Sequence, residues 1–116
     1  MFRFQTLEVW KKAVDFADLM IEIADALPQK YQFSFGDQLR RAGLSVPNNI
    51  AEGNGRKFKK EASHLYNISK GSLYECINIL VILNKRNLIN WKKFNREYIY
   101  KLAEEIAKML TGLMKK

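Results

Sequence analysis

The chain has 116 residues, of which 47% are hydrophobic and 28% are charged, a balance typical of a globular domain with a buried core. No segment reaches the roughly 18 consecutive apolar residues that a membrane span needs, and no signal peptide is recognisable. The single cysteine, Cys76, excludes an internal disulfide. We therefore expect one cytoplasmic domain over residues 1–116.

The formal net charge is +8, and it is unevenly distributed along the chain. Residues 1–55 carry a net charge of −1, whereas residues 56–116 carry +9. This asymmetry indicates either a polyanionic partner or self-association between unlike faces.

The first predicted helix covers residues 6–27, with Thr6 as its N-cap and Pro28 beyond its end. Its apolar residues recur at helical spacing over about half of the circumference. The opposite face is mostly acidic and contains Glu8, Asp15, Asp18, Glu22 and Asp25.

The second predicted helix runs from Ser34, its expected N-cap, to Glu52. Pro47 lies inside it and predicts a kink rather than an end, because the apolar pattern resumes after the proline. Gly53 and Gly55 are expected to end the helix in a left-handed conformation.

The third and fourth predicted helices cover residues 57–86 and 90–113, with Asn90 as the N-cap of the fourth and Tyr98 among its inward residues. No strand pattern is present. Four helices joined by short loops predict an all-α, antiparallel, up-down-up-down four-helix bundle. The apolar faces of the first and third helices are wider than one bundle covers, which predicts an intermolecular interface as well.

Patterns typical of catalytic and metal sites are incomplete in this sequence. Glu61 and His64 match one Glu-x-x-His element, but a di-iron site needs a second element and further carboxylates, and His64 is the only histidine. The glycines at 53 and 55 lack the spacing of a phosphate-binding loop. We expect no metal, no cofactor and no catalytic residue.

Basic residues concentrate around two of the predicted turns and are candidate phosphate contacts. The alternative is a solvated surface with cations at helix ends, and the sequence does not separate the two. The candidates are Arg56, Lys57, Lys59, Lys60, Lys85, Arg86, Lys92, Lys93 and Arg96.

Arg40 and Arg41 differ from these candidates because they adjoin the apolar face of the second helix. We expect them to form ion pairs with Glu52, Glu61 or Glu75 rather than to contact nucleic acid. Arg41 and Glu52 in particular are three helical turns apart on one side.

The stretch from Gln38 to Arg56 closely resembles the signature of the bacterial four-helix-bundle family of 23S ribosomal RNA intervening-sequence proteins. Residues 7–13 and 71–75 resemble its opening and its third-helix motif, whereas Gly43 and Ile77 depart from its usual residues. The signature positions to which we assign a structural role are Arg40, Arg41, Pro47, Asn49, Glu52, Gly53 and Gly55.

The resemblance implies a bundle that assembles into a ring, expected to be a homopentamer, and it implies no particular activity. A similar protein, the accessory variability determinant of diversity-generating retroelements, binds RNA and a reverse transcriptase through a pentameric basic bundle. We therefore expect a non-enzymatic, oligomeric accessory protein that binds RNA or DNA. The alternative is a structural or adaptor oligomer with a protein partner.

Overall fold

The computed structural model describes residues 1–116, and it contains four α-helices and no strand, which confirms the predicted all-α class. A 3-10 turn at Arg3–Thr6 precedes the first helix. A 3-10 turn and a π-helical turn, Gln29–Tyr31 and Gln32–Gly36, join the first two helices. The helices are α1 (Glu8–Asp25), α2 (Asp37–Asn54), α3 (Lys59–Lys85) and α4 (Arg96–Lys115).

Each helix packs against two others, so the four close a cycle around one core. α1 contacts α2 and α4, and α3 contacts α2 and α4. Apolar side chains from all four helices are removed from water in this core, and this burial is the main favourable contribution to folding. Among the fully buried ones are Phe16, Met20, Leu39, Ile50, Leu80 and Ile106.

Both ends of α1 differ from those that the sequence pattern predicts. Leu7, not Thr6, is the N-cap residue, and the Thr6 hydroxyl donates to the carbonyl of Arg3 instead. At the other end the Gln32 side-chain amide donates to the carbonyls of Ala24 and Leu27, at 3.0 and 2.8 Å. Gln32 thus adds a hydrogen bond to carbonyl groups at and just beyond the end of α1, where the last carbonyls of a helix lose their regular i+4 partners.

Arg40 connects the end of α1 to the beginning of α2. Its guanidinium donates to the carboxylates of Asp25 and Asp37, each at 3.0 Å, and to the side-chain oxygen of Gln32. The N-cap predicted at Ser34 is wrong, because residue 34 lies inside the π-helical turn and makes no such cap. The ion pair expected between Arg40 and a glutamate of the signature or of α3 is also wrong.

α2 continues through Pro47, which is buried. A proline in a helix interior removes one backbone hydrogen bond. Side chains add hydrogen bonds beside it: Ser69 donates to the buried carbonyl of Val46 at 2.7 Å, and Asn49 donates to the carbonyl of Ser45 at 2.8 Å. The kink expected at Pro47 stays a prediction.

The left-handed helix end predicted at Gly53 and Gly55 is wrong, because no glycine has a positive φ. Gly53 is buried inside α2, and a Cβ atom there would lie 2.7 Å from Cε1 of Tyr66. The glycine is therefore needed for the close approach of α2 to α3. The only residue with a positive φ is Asn87, just after α3.

α4 begins at Arg96, six residues later than the predicted N-cap at Asn90. Asn95 is its N-cap, and its side-chain oxygen accepts from the backbone N–H of Tyr98 at 3.0 Å. The connection before α4 places Phe94 in the core, so the apolar pattern of this connection resembles that of a helix. Tyr98, expected to point inward, is exposed.

Candidate nucleic-acid interface

The structure places all nine candidate basic residues on the surface, in two groups. The first group, here named the α2–α3 cluster, flanks the turn between these helices and comprises Arg56, Lys57, Lys59 and Lys60. The second, the α3–α4 cluster, flanks the longer connection between α3 and α4 and comprises Lys85, Arg86, Lys92, Lys93 and Arg96.

The two clusters lie at opposite ends of the molecule. α3 begins at Lys59, ends at Lys85 and has 27 residues. At 1.5 Å per residue its ends are about 39 Å apart. The longest dimension of the molecule is 43 Å. A single short nucleic-acid segment therefore does not reach both clusters of one chain without following the whole length of α3.

Within the α2–α3 cluster, only Arg56 has an acidic partner. Its Nη2 lies 3.6 Å from the Glu52 carboxylate, and both side chains are largely exposed. Lys59 and Lys60 open α3, whose N-terminus receives no side-chain cap. The positive end of the helix dipole thus coincides with extra cations, an arrangement that favours a bound anion.

The expected pair between Arg41 and Glu52 is absent. Arg41 is exposed and takes part in no ion pair, because the Glu52 carboxylate turns to Arg56 one helical turn later. Glu52 is therefore a surface residue rather than the partner of an inward arginine.

In the α3–α4 cluster, Arg86 and Lys30 meet at the ring of Tyr31. Arg86 donates to the Tyr31 hydroxyl at 3.5 Å, and Lys30 Nζ lies 5.6 Å from the ring centroid. This hydrogen bond, together with the positive charge of Lys30, lowers the pKa of Tyr31. Residues that are 55 positions apart in sequence thus extend the cluster to the turn between α1 and α2.

Aromatic rings also contact Arg96, another cation of the α3–α4 cluster. The Arg96 guanidinium lies 5.2 Å from the ring of Trp91 and 5.8 Å from that of Tyr100, within the range of cation–π attraction. Trp91 is in turn fixed by the hydrogen bond that its Nε1 donates to Asn84 at 2.9 Å. A spacing of four residues places Tyr100 beside Arg96 on α4, whereas no spacing in the sequence indicates the contact with Trp91.

Other reactive groups lie outside both clusters. Cys76 is buried in the core, and burial raises the pKa of its thiol to about 12. His64 is exposed on α3. None of the four helices is long and apolar enough to cross a membrane.

These observations define a small basic helical protein with charge concentrated at the two ends of its longest helix. The chain matches the family model described as 23S rRNA-intervening sequence protein over residues 5–112 and belongs to this family. No curated protein matches the chain.

Proposed function

We propose that this protein is a non-enzymatic, cytoplasmic accessory factor that binds RNA or DNA as a homo-oligomer. The observation that carries the proposal is the state of its nine clustered cations: all are exposed, and only Arg56 takes part in an ion pair. The other eight keep their full charge available to a partner. The family description, which mentions 23S rRNA, favours RNA over DNA.

The physical basis of binding is the release of counterions from the phosphate backbone. Each phosphate that a lysine or arginine neutralises frees a condensed cation, so affinity falls steeply as salt rises. Contacts of this kind position the nucleic acid but do not read its bases. We therefore expect weak sequence preference and strong dependence on ionic strength.

The proposed assembly is a homopentamer of antiparallel bundles with α2 kinked at Pro47. An antiparallel course of α3 and α4 is supported by the hydrogen bond that Lys70, 15 residues before the end of α3 (85 − 70), donates at 2.8 Å to Thr111, 15 residues after the start of α4 (111 − 96). The family resemblance supports the pentamer. A ring repeats each basic cluster in every subunit, so that several modest patches act on one polyanion with a high effective concentration.

A titration tests the proposal with single-stranded RNA, structured RNA and duplex DNA at low and moderate salt. The test variants reverse charge within one cluster, Lys59→Glu with Lys60→Glu or Lys92→Glu with Lys93→Glu. The matched control reverses two exposed lysines outside the clusters, Lys11→Glu with Lys101→Glu. We expect each cluster variant to bind more weakly than the control, although the net charge is the same.

Two results would contradict the proposal, each at a different level. The absence of any complex below roughly 100 μM, the weak end of non-specific affinity, would contradict nucleic-acid binding itself, and the alternative function, a structural or adaptor oligomer with a protein partner, would replace it. Equal weakening by the control and by the cluster variants would contradict only the assignment of binding to the two clusters.

A further inference from the structure

The packing of α3 against α4 leaves an apolar groove open to solvent. The groove has a volume of about 620 Å³, and seven of its ten lining residues are hydrophobic. Tyr74 and Val81 form its α3 side and are 59% and 50% exposed, while Tyr100 and Ala103 form its α4 side. Exposed apolar surface of this kind is unfavourable in a monomer and typical of an interaction site.

Gly71 is an exposed position of α3 outside the residues that line the groove. A Cβ atom at Gly71 would meet nothing within 4 Å, in contrast to Gly43 and Gly53, which face neighbouring helices closely. No helix of the same chain therefore uses the close approach that Gly71 permits.

One end of the groove is positively charged. Here the groove continues into a smaller one of about 250 Å³, which is lined by Lys70 and Lys108. Lys70 Nζ lies 5.8 Å from the Tyr74 ring, directly beside the apolar part. The only acidic lining residue of either groove is Glu104.

The face formed by α1 and α2 has complementary properties. Val14 and Leu44 are 37% and 45% exposed there. Beside them lies the acidic stripe of α1, in which Asp15, Asp18 and Glu22 are exposed and take part in no ion pair. The apolar residues of this face fit the apolar groove, and its unpaired carboxylates fit the lysines at the end of the groove. The two surfaces are therefore complementary in hydrophobicity and in charge.

We infer that the α3–α4 groove of one copy receives the α1–α2 face of a second copy. The two helix pairs are opposite one another in the cycle of contacts, so the surfaces lie on opposite sides of the chain and the contact is heterologous. The inference rests on the oligomeric part of the proposed function and is independent of nucleic-acid binding.

Light scattering of variants tests the apolar contact. Val81→Glu places a charge in the groove and Val14→Glu places one on the opposite face, and each is expected to reduce the wild-type assembly to the 13.6 kDa chain mass. Phe58→Glu, at an exposed apolar position outside both surfaces, is the control and should keep the wild-type mass. Circular dichroism verifies folding, and Tyr74→Glu replaces Val81→Glu if that variant does not fold.

Mixing the two disrupted variants distinguishes a heterologous contact from any other. The Val81→Glu chain keeps an intact α1–α2 face, and the Val14→Glu chain keeps an intact groove. Together they should form a one-to-one complex of about twice the chain mass, since one heterologous contact joins exactly two such chains. A mixture that stays monomeric would overturn the inference.

A charge exchange tests the complementarity separately. Asp15→Lys with Asp18→Lys, or Lys70→Glu with Lys108→Glu, should each lower the assembled mass, and the combination of all four changes should restore it. Retention of the wild-type mass by all of these variants would overturn the inference. A wild-type monomer would overturn it together with the proposed oligomer, whereas binding of RNA by that monomer would leave the nucleic-acid proposal standing.

Discussion

The buried part of the signature segment, residues 38–56, and the two basic clusters use their side chains in opposite ways, and Arg56, the last residue of the segment, belongs to the α2–α3 cluster. Within the segment, Arg40 bridges two helices through three side chains, Pro47 is buried, and Gly53 lies against Tyr66. In the clusters the cations project into solvent, and only Arg56 has an acidic partner. The most distinctive stretch of the sequence therefore builds the bundle, while the proposed function belongs to surfaces with little sequence signature.

The physical reason is a difference in how strictly each role constrains residue type. A position such as Gly53 admits one residue, because any side chain would meet a neighbouring ring. A phosphate contact needs only a positive charge within reach, which several surface positions can supply. Mutations should consequently separate the two regions, with stability affected in one and binding in the other.

The largest effect on stability is expected for Gly53→Ala. The new Cβ would lie 2.7 Å from the Tyr66 ring, so α2 and α3 must move apart. Overpacking of this kind lowers the free energy of unfolding by about 1–3 kcal/mol. In the matched control, Gly112→Ala, the Cβ meets nothing within 4 Å. That change should raise stability by up to about 1 kcal/mol through helix propensity. Urea denaturation measures both, and equal effects would refute the assigned packing role.

Arg40→Ala should have the next largest effect. It removes hydrogen bonds to Asp25, Asp37 and Gln32 from a side chain that is 25% exposed. Hydrogen bonds to charged groups contribute roughly 1.5–3 kcal/mol when well formed, and partial exposure reduces this to a loss of about 1–2 kcal/mol. The neighbouring Arg41→Ala is the control and should change stability by less than about 0.5 kcal/mol. A similar midpoint of thermal unfolding in both variants would contradict the account.

Glu52→Ala should have a smaller effect still. The loss would be about 1–3 kcal/mol if Glu52 formed the expected pair with Arg41, because an inward arginine would then lose its partner. Glu52 instead forms an exposed pair with Arg56, and such pairs contribute roughly 0–1 kcal/mol. A thermal midpoint close to that of the wild type is therefore expected, and a large decrease would mean that Glu52 has a buried partner.

The smallest effect on stability near neutral pH is expected from ionisation of the Cys76 thiol. Burial raises the pKa of its thiol from 9.0 to about 12, so the folded chain keeps it protonated while an unfolded chain ionises it earlier. The stability that the buried, protonated thiol contributes is fully present below pH 9 and is lost as pH rises toward 12. We expect slow reaction with a thiol reagent in the native state and fast reaction in denaturant. Equal rates would show that the core around Cys76 is open.

The sequence predicted the number of helices, their class and the surface positions of the basic residues, because apolar periodicity and charge patterning report these properties directly. It failed at helix ends. Phe94 continues an apolar pattern into a turn, so Asn90 resembled an N-cap that is in fact Asn95.

Long-range side-chain contacts were the other class of error. Arg41 and Glu52 have the spacing of a pair, but a closer partner, Arg56, takes the carboxylate. The bridge from Arg40 to Asp25 and the contact of Arg86 with Tyr31 join residues from different elements. Neither contact produces a periodic pattern in the sequence, because each depends on how the helices pack.

The salt dependence of RNA binding tests the central claim, that the exposed clusters contact phosphates, most directly. Affinity for a single-stranded RNA is measured between about 50 and about 200 mM salt for the wild type, for Lys92→Gln with Lys93→Gln, and for the control Lys11→Gln with Lys101→Gln. If both cluster lysines contact phosphate, the log–log slope becomes shallower by about 1.4 in the cluster variant, since each contact on a single strand contributes about 0.7. The control slope should equal that of the wild type. Equal slopes for the cluster variant and the control would contradict the account.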